Sequence, residues 1–317
     1  MKQNRPLIAH LCMFMACAFW GLMAPLGKDA MTHGIDGIDM VTFRVVGGCL
    51  LFWLTAPFVK HERVPWQDRL RFAGAGLLGL VTNQCCYTIG LSLTSPINAS
   101  IVTTSMPIFA MVLAALILKE PITAKKALGV AIGCCGAVTL ILSSASAAND
   151  RVGNLGGDLL CIGAQFSFAL YLSTCYKLIR RYSVFTINRW MFLWATIMIL
   201  PFSLSHVAAI DFASVPSSTW WETAYVVLFG TYIGYILTMI GQKTLRPTVV
   251  SIYNYVQPLV SVIVSVATGI ALLRWTQGLA VVLVFSGVML VTKSKSRRDM
   301  EAEARAARQP KDNLPES

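Results

Sequence analysis

Ile97–Leu118, INASIVTTSMPIFAMVLAALIL, runs for 22 residues without a charged side chain. An α-helix of that length covers ~33 Å at ~1.5 Å per residue, about the thickness of the hydrocarbon layer of a bilayer. Further apolar stretches lie around it. Leu7–Leu26, Val41–Val59, Phe72–Leu93 and Ala124–Leu142 complete a first set of five; Leu155–Tyr176, Val184–Leu204, Trp220–Ile240, Val249–Ala271 and Trp275–Val291 form a second. This is the pattern of an all-α integral membrane protein with ten transmembrane helices. Composition agrees. The chain is 56% hydrophobic and 13% charged, against about 25% charged in soluble domains.

The two sets are copies. In the quoted span Pro96 stands at the entrance and Pro107 eleven residues later; Pro247 and Pro258 keep the same separation in the ninth span. Around them Thr94–Ser100 (TSPINAS) pairs with Leu245–Ser251 (LRPTVVS), and Met106-Pro107-Ile108 with Gln257-Pro258-Leu259. Ala18-Phe19-Trp20 resembles Phe168-Ala169-Leu170-Tyr171, again about 150 residues on. With an odd number of spans per copy, the second copy crosses in the opposite sense. Two inverted five-helix repeats are therefore expected, residues 1–145 and 146–292, followed by a charged tail at 293–317. Inverted repeats are a mark of secondary transporters, whose solute sites lie near the midplane between the copies.

Charge placement gives a side. Of 26 Lys and Arg residues, 22 fall at one end of the spans if both termini share that end; Lys28, Arg44, Arg151 and Arg274 do not. By the positive-inside rule that end is cytoplasmic, which puts both termini in the cytoplasm of a multi-pass protein of the cytoplasmic membrane. The net charge of +11 is thus a topology signal, and nucleic acid is not an expected partner. All nine cysteines lie in the spans, so no extracellular disulfide framework is implied. Lys2 and Arg5 precede an apolar run that continues to Leu26, which reads as a first span and not a cleaved leader.

Several of these residues resemble the EamA type of the drug/metabolite transporter superfamily. They are Phe19-Trp20-Gly21, Phe43-Arg44, and Gln84…Tyr87…Gly90-Leu91 leading into Ser95-Pro96-Ile97-Asn98-Ala99-Ser100. Met106-Pro107, Leu118–Thr123 (LKEPIT) and Gly129…Gly133…Gly136 complete the set. The resemblance covers residues ~7–292. It implies a ten-helix permease that exports or exchanges a small metabolite, amino acids and related compounds first. One departure is plain: the Glu expected after span nine is absent, and Ala271-Leu272-Leu273-Arg274 stands there. Glu120 therefore lacks a symmetry mate.

Polar groups inside a bilayer are costly and mark candidate pathways. Arg44 is placed to capture an anionic or carboxylate group, or else to reach back to the outer interface or tie a loop carbonyl. Asn83 and Tyr87 share a helix face in span three, with Gln84 beside them. Trp20, Thr103, Thr104, Gln165, Tyr171, Tyr232 and Tyr235, with Tyr253, Asn254 and Gln257 of span nine, complete the candidate lining. Each has the alternative role of an interhelical hydrogen bond. Pro107 and Pro258 free backbone carbonyls and are candidate gating kinks. Gly129-x-x-x-Gly133 signals close helix packing, or the seam of a homodimer.

Absences narrow the function. Asp29, Asp39, Glu120, Asp158 and Glu222 all lie near span ends, so no midplane carboxylate offers itself to a cation or proton. A neutral or zwitterionic solute moved by uniport or exchange fits better. Phosphate-loop, zinc-protease and Ser/His/Asp patterns are lacking, so neither enzymatic activity, nor a cofactor, nor a metal is expected. The expected partners are a small-molecule solute and membrane lipid. A carrier of another solute class, such as a nucleotide-sugar or drug-like compound, is the near alternative. A non-transporting protein such as a lipid scramblase or scaffold is the distant one.

Overall fold

The computed structural model describes residues 5–93, 102–145, 155–267 and 275–295. The TSPINAS segment at 94–100, most of the tail, and the side chains of several residues at helix ends lie outside that description. All described regular structure is helical.

Span one is a single helix, Arg5–Thr32, and span two is Gly37–Leu54. Asp36 caps the latter. Its carboxylate accepts from the backbone N–H of Ile38 and Asp39, and the Asp39 carboxylate accepts in return from Asp36 N–H, which together satisfy helix donors that have no intrahelical acceptor. Span three is Trp66–Gly76 and Asn83–Leu93 joined by a π-helical stretch, Leu77–Thr82. Span eight repeats that construction as Ser217–Tyr225, π-helical Val226–Ile233 and Gly234–Thr244. Span five is Ala124–Ala145, span six Leu155–Thr174, span seven Val184–Ala208 and span ten Trp275–Thr292.

Spans four and nine are interrupted. Span four turns at Thr104–Ser105 before the helix Met106–Leu118. Span nine runs Pro247–Ile252, a 3-10 turn Tyr253–Tyr255, then Val256–Ala267. Pro107 and Pro258 do not kink continuous helices as expected. Each sits in the first turn of the segment after the break, where a missing N–H removes no helix bond.

The packing pattern carries the repeat. Span one lies against spans eight and nine, while span six lies against spans three and four. Spans two and seven pair with each other, as do five and ten. Exchanging the two copies leaves this arrangement unchanged, which is what a pseudo-two-fold axis between them requires. Among the described residues, five helices are individually long and apolar enough to cross a membrane: Pro6–Met23, Gly37–Phe58, Leu155–Thr174, Val184–Ala208 and Ser217–Thr244. Leu7, Leu54, Phe58 and Phe202 stand outward and exposed, the surface a bilayer covers.

Spans five and ten meet backbone to backbone. A Cβ on Gly287 would fall 2.7 Å from the carbonyl oxygen of Gly129, and one on Gly133 would fall 2.5 Å from the ring of Tyr255. The face of Gly129-x-x-x-Gly133 is therefore filled from within the same chain, and it is not left free as a dimer seam.

Candidate functional site

Between the two copies lies a small cavity of about 90 Å³. A water needs ~10–15 Å³ by this measure, so several fit. A whole metabolite requires the walls to part. Trp20, Arg44, Asn83, Gln84, Tyr87 and Thr103 line it from the first copy; Gln165, Tyr235, Asn254 and Gln257 do so from the second, with Met23 and Phe168 as apolar walls.

Arg44 does not reach back to the interface. It is buried, with its Nε donating to Thr231 Oγ1 at 3.1 Å and an Nη1–H to Gln84 Oε1. Gln84 in turn donates through Nε2 to Tyr235 OH at 3.0 Å. Thr231 can accept because its own hydroxyl proton goes to Val226 O, five residues back in the widened turn. This chain of bonds links spans two and three of one copy to span eight of the other. No carboxylate lies within ion-pair distance of Arg44 among the described residues.

Two further bonds cross the same seam. Trp20 Nε1 donates to Gly230 O at 2.8 Å, and Asn83 Nδ2 to Ala164 O at 2.9 Å. Gln257 Nε2 bonds Asn254 Oδ1 at 2.9 Å beside the break in span nine. Span one approaches that break closely: a Cβ on Gly21 would sit 2.7 Å from Gln257 O.

Four of the expected lining residues are elsewhere. Thr104 is buried toward span five, where its carbonyl accepts from Tyr255 OH and its hydroxyl meets Cys134. Tyr171 is the repeat counterpart of Trp20, yet its hydroxyl donates to Gln242 at 2.9 Å while its ring covers Gly79. Tyr232 packs on Phe52, ring centres 4.7 Å apart. Tyr253 pairs its hydroxyl with His10 Nδ1 at 2.7 Å. Spacing gives the depth of these four but not their direction: Thr104, Tyr232 and Tyr253 stand at a helix break or in the widened turn, while Tyr171, in a continuous helix, lays its ring on Gly79. Thr231, Met23 and Phe168 were missed. Thr231 was signalled only by its neighbours Tyr232 and Tyr235, and the other two are ordinary span residues by type.

The model of the EamA-like transporter family matches the chain twice, over residues 7–142 and 155–293. The chain belongs to the EamA-like transporter family. Two uncharacterized transporters of Bacillus subtilis (strain 168) are similar to it: YetK, 23% identical over 92% of this chain and 88% of its own, and YyaM, 23% identical over 68% and 70%. An uncharacterized transporter of Archaeoglobus fulgidus is 24% identical over 70% of this chain and 76% of its own. The fold is shared with a solved crystal structure at a TM-score of 0.71 and 19% identity, over 90% of this chain and 98% of that one. Two matches of one family along the chain are consistent with a duplicated repeat.

This member of the family also ties its copies together at the basic end. Asp68, ahead of the apolar part of span three, accepts from Tyr182 OH, from Arg181 at 2.8 Å and from Arg71 at 2.9 Å. The Tyr182 bond, with the two guanidinium groups, holds the Asp68 carboxyl below the usual carboxylate range. Glu62 accepts from Ser183 N at 2.8 Å, and Lys243 Nζ donates to Tyr182 O. Glu120, without a symmetry mate, is instead paired with buried Lys126 at 3.0 Å.

Proposed function

We propose that this EamA-family transporter is a secondary carrier that moves a small neutral or zwitterionic metabolite, amino acids and their relatives first, by alternating access through the cavity between its two copies. The observation that carries the reading is a polar cavity walled by both copies and crossed by the Arg44–Gln84–Tyr235 bonds. Opposed rocking of the copies breaks and remakes those bonds while the solute stays near the axis.

Arg44 supplies the polar anchor. A buried guanidinium without a carboxylate partner is costly unless something completes it. A solute carboxylate would do so in the bidentate geometry that guanidinium favours. The amide oxygens of Asn83, Gln165 and Gln257 can accept from an ammonium or hydroxyl group, and Trp20, Tyr87, Tyr235 and Phe168 contact an apolar side chain. The absence of Asp and Glu from the described lining disfavours a strongly cationic solute. Export fits the family resemblance, and the basic loops favour a cytoplasmic N- and C-terminus.

The test is counterflow of a mixed amino-acid and metabolite panel into proteoliposomes of the purified chain, with and without a pH gradient. Saturable uptake that needs no gradient is the expected result. Gradient-dependent uptake would keep the carrier and overturn the uncoupled mechanism; no uptake of any solute would favour a non-transporting role.

A further inference from the structure

At the basic end, the loop between spans two and three and the start of span seven enclose an open recess, whose lining includes Glu62, Arg63, Arg69, Arg181, Arg189 and Trp190. Its cations are in excess. Arg181 is matched by Asp68. Arg69 bonds Val64 O at 3.0 Å and lies over the Trp190 ring at 4.8 Å; Arg189 lies over the Trp53 ring at 5.0 Å. Among the described residues no acid is within ion-pair distance of Arg63, Arg69 or Arg189. Glu62 attracts Arg189 from farther off while its Oε2 accepts from Ser183.

Two buried donors there have no acceptor. They are Nε of Arg189, a residue only 8% exposed, and Nε1 of Trp190. A buried N–H left unpaired is costly, so the recess is incomplete as it stands. The repeat shows that its cations are not imposed by the fold. Val64-Pro65 before span three recurs as Val215-Pro216 before span eight, but Ser214 and Trp220 stand where the first copy has Arg63 and Arg69. Beside the basic recess, Trp53, Leu54, Phe58 and Trp66 are exposed apolar side chains.

We propose that this recess binds the phosphate of an anionic phospholipid, with Arg63, Arg69 and Arg189 as its cations and the acyl chains running over Trp53, Leu54 and Phe58. Phosphate oxygens accept from guanidinium groups with short, charge-assisted bonds. The adjoining apolar surface favours a lipid over a free phosphate, and the basic ends of spans face the leaflet in which anionic lipid accumulates. The recess draws one wall from each copy, next to the Asp68–Arg181 contact. A bound lipid therefore clasps this end shut and biases the carrier toward opening at the other.

The experiment uses the full chain in neutral detergent, titrated with phosphatidylglycerol, phosphatidylcholine or inorganic phosphate, and reads melting temperature and lipid retained in native mass spectra. Phosphatidylglycerol should raise the melting temperature and remain bound where phosphatidylcholine, its phosphate masked by choline, does not. Arg63→Gln, an exposed position, should weaken the phosphatidylglycerol response by about fivefold. Arg189→Gln should weaken it by about tenfold or more, with Arg63→Gln sufficing if the buried variant fails to fold. Competition by inorganic phosphate alone would support the phosphate site but assign a free anion to it. Equal responses to both lipids, unchanged in Arg63→Gln, would overturn the proposal.

Discussion

The indole N–H of Trp20 reaches 2.8 Å across the seam to the carbonyl of Gly230, joining span one to the widened turn of span eight. A Cβ on Gly230 would lie 2.5 Å from Met23 Sδ, so a side chain there would require Met23 to move. Trp20→Phe keeps an aromatic ring but removes that bond across the seam, at a cost of about 1 kcal/mol. A lower melting temperature and slower counterflow are expected. A variant matching the parent in both would show that the bond does not hold the copies in register.

Gln84 holds both Arg44 and Tyr235. Gln84→Ala should impair transport while membrane abundance stays near that of the parent, because the bonds lost line the cavity and not the core of a helix pair. Gln84→Glu should be worse, since the new carboxylate would occupy Arg44 and compete with the solute. Immunoblotting and counterflow at equal reconstituted protein separate the two effects, and normal counterflow in both variants would remove span three from the pathway.

The glycines make a paired test of packing. Gly287→Ala drives a methyl group onto the backbone of span five, where the nearest atoms lie 2.7 Å away, and should lower stability by about 1–3 kcal/mol. At Gly163 a methyl group would have nothing within 4 Å, so Gly163→Ala should be neutral or slightly stabilising through helix propensity. Thermal unfolding of the two variants in the same detergent is the check.

The architecture was legible because a span writes its length and apolarity directly into the chain, and a duplicated chain repeats its prolines. Depth singles out fourteen polar residues, of which Trp20, Arg44, Asn83, Gln84, Tyr87, Thr103, Gln165, Tyr235, Asn254 and Gln257 border one cavity and Thr104, Tyr171, Tyr232 and Tyr253 do not. Direction was harder. Position within a span assigns Tyr171 and Tyr232 to the pathway as well, but the π-helical stretch within span eight carries Tyr232 and the open face of Gly79 receives the Tyr171 ring. Pro107 and Pro258 read as kinks because a sequence shows that a proline interrupts a helix without showing on which side the break falls. Thr231 gave no signal of its own beyond its neighbours Tyr232 and Tyr235, since its importance comes from Arg44, distant in sequence.

Asp68 provides a pH test with a definite sign. Its folded carboxyl is held below the usual range by Tyr182, Arg181 and Arg71. The contact therefore adds stability above the unfolded carboxylate range, near ~3.9, and loses it as pH falls through the lower folded value. Asp68→Asn should melt below the parent at pH 7 and converge with it in strong acid. A difference that stayed constant with pH would mean that the ionised carboxylate is not what binds Arg181.

The central claim, that the cavity between the copies is the solute path, is tested most directly at Asn254. In Asn254→Cys, reconstituted in sealed vesicles, modification at that residue by a membrane-impermeant thiol reagent is followed by peptide mapping, with reagent on one side at a time. Alternating access predicts labelling from each side, slowed by the solute that saturates counterflow. A residue that stays unmodified from both sides, with or without solute, would contradict the account and leave the centre a dry packing seam.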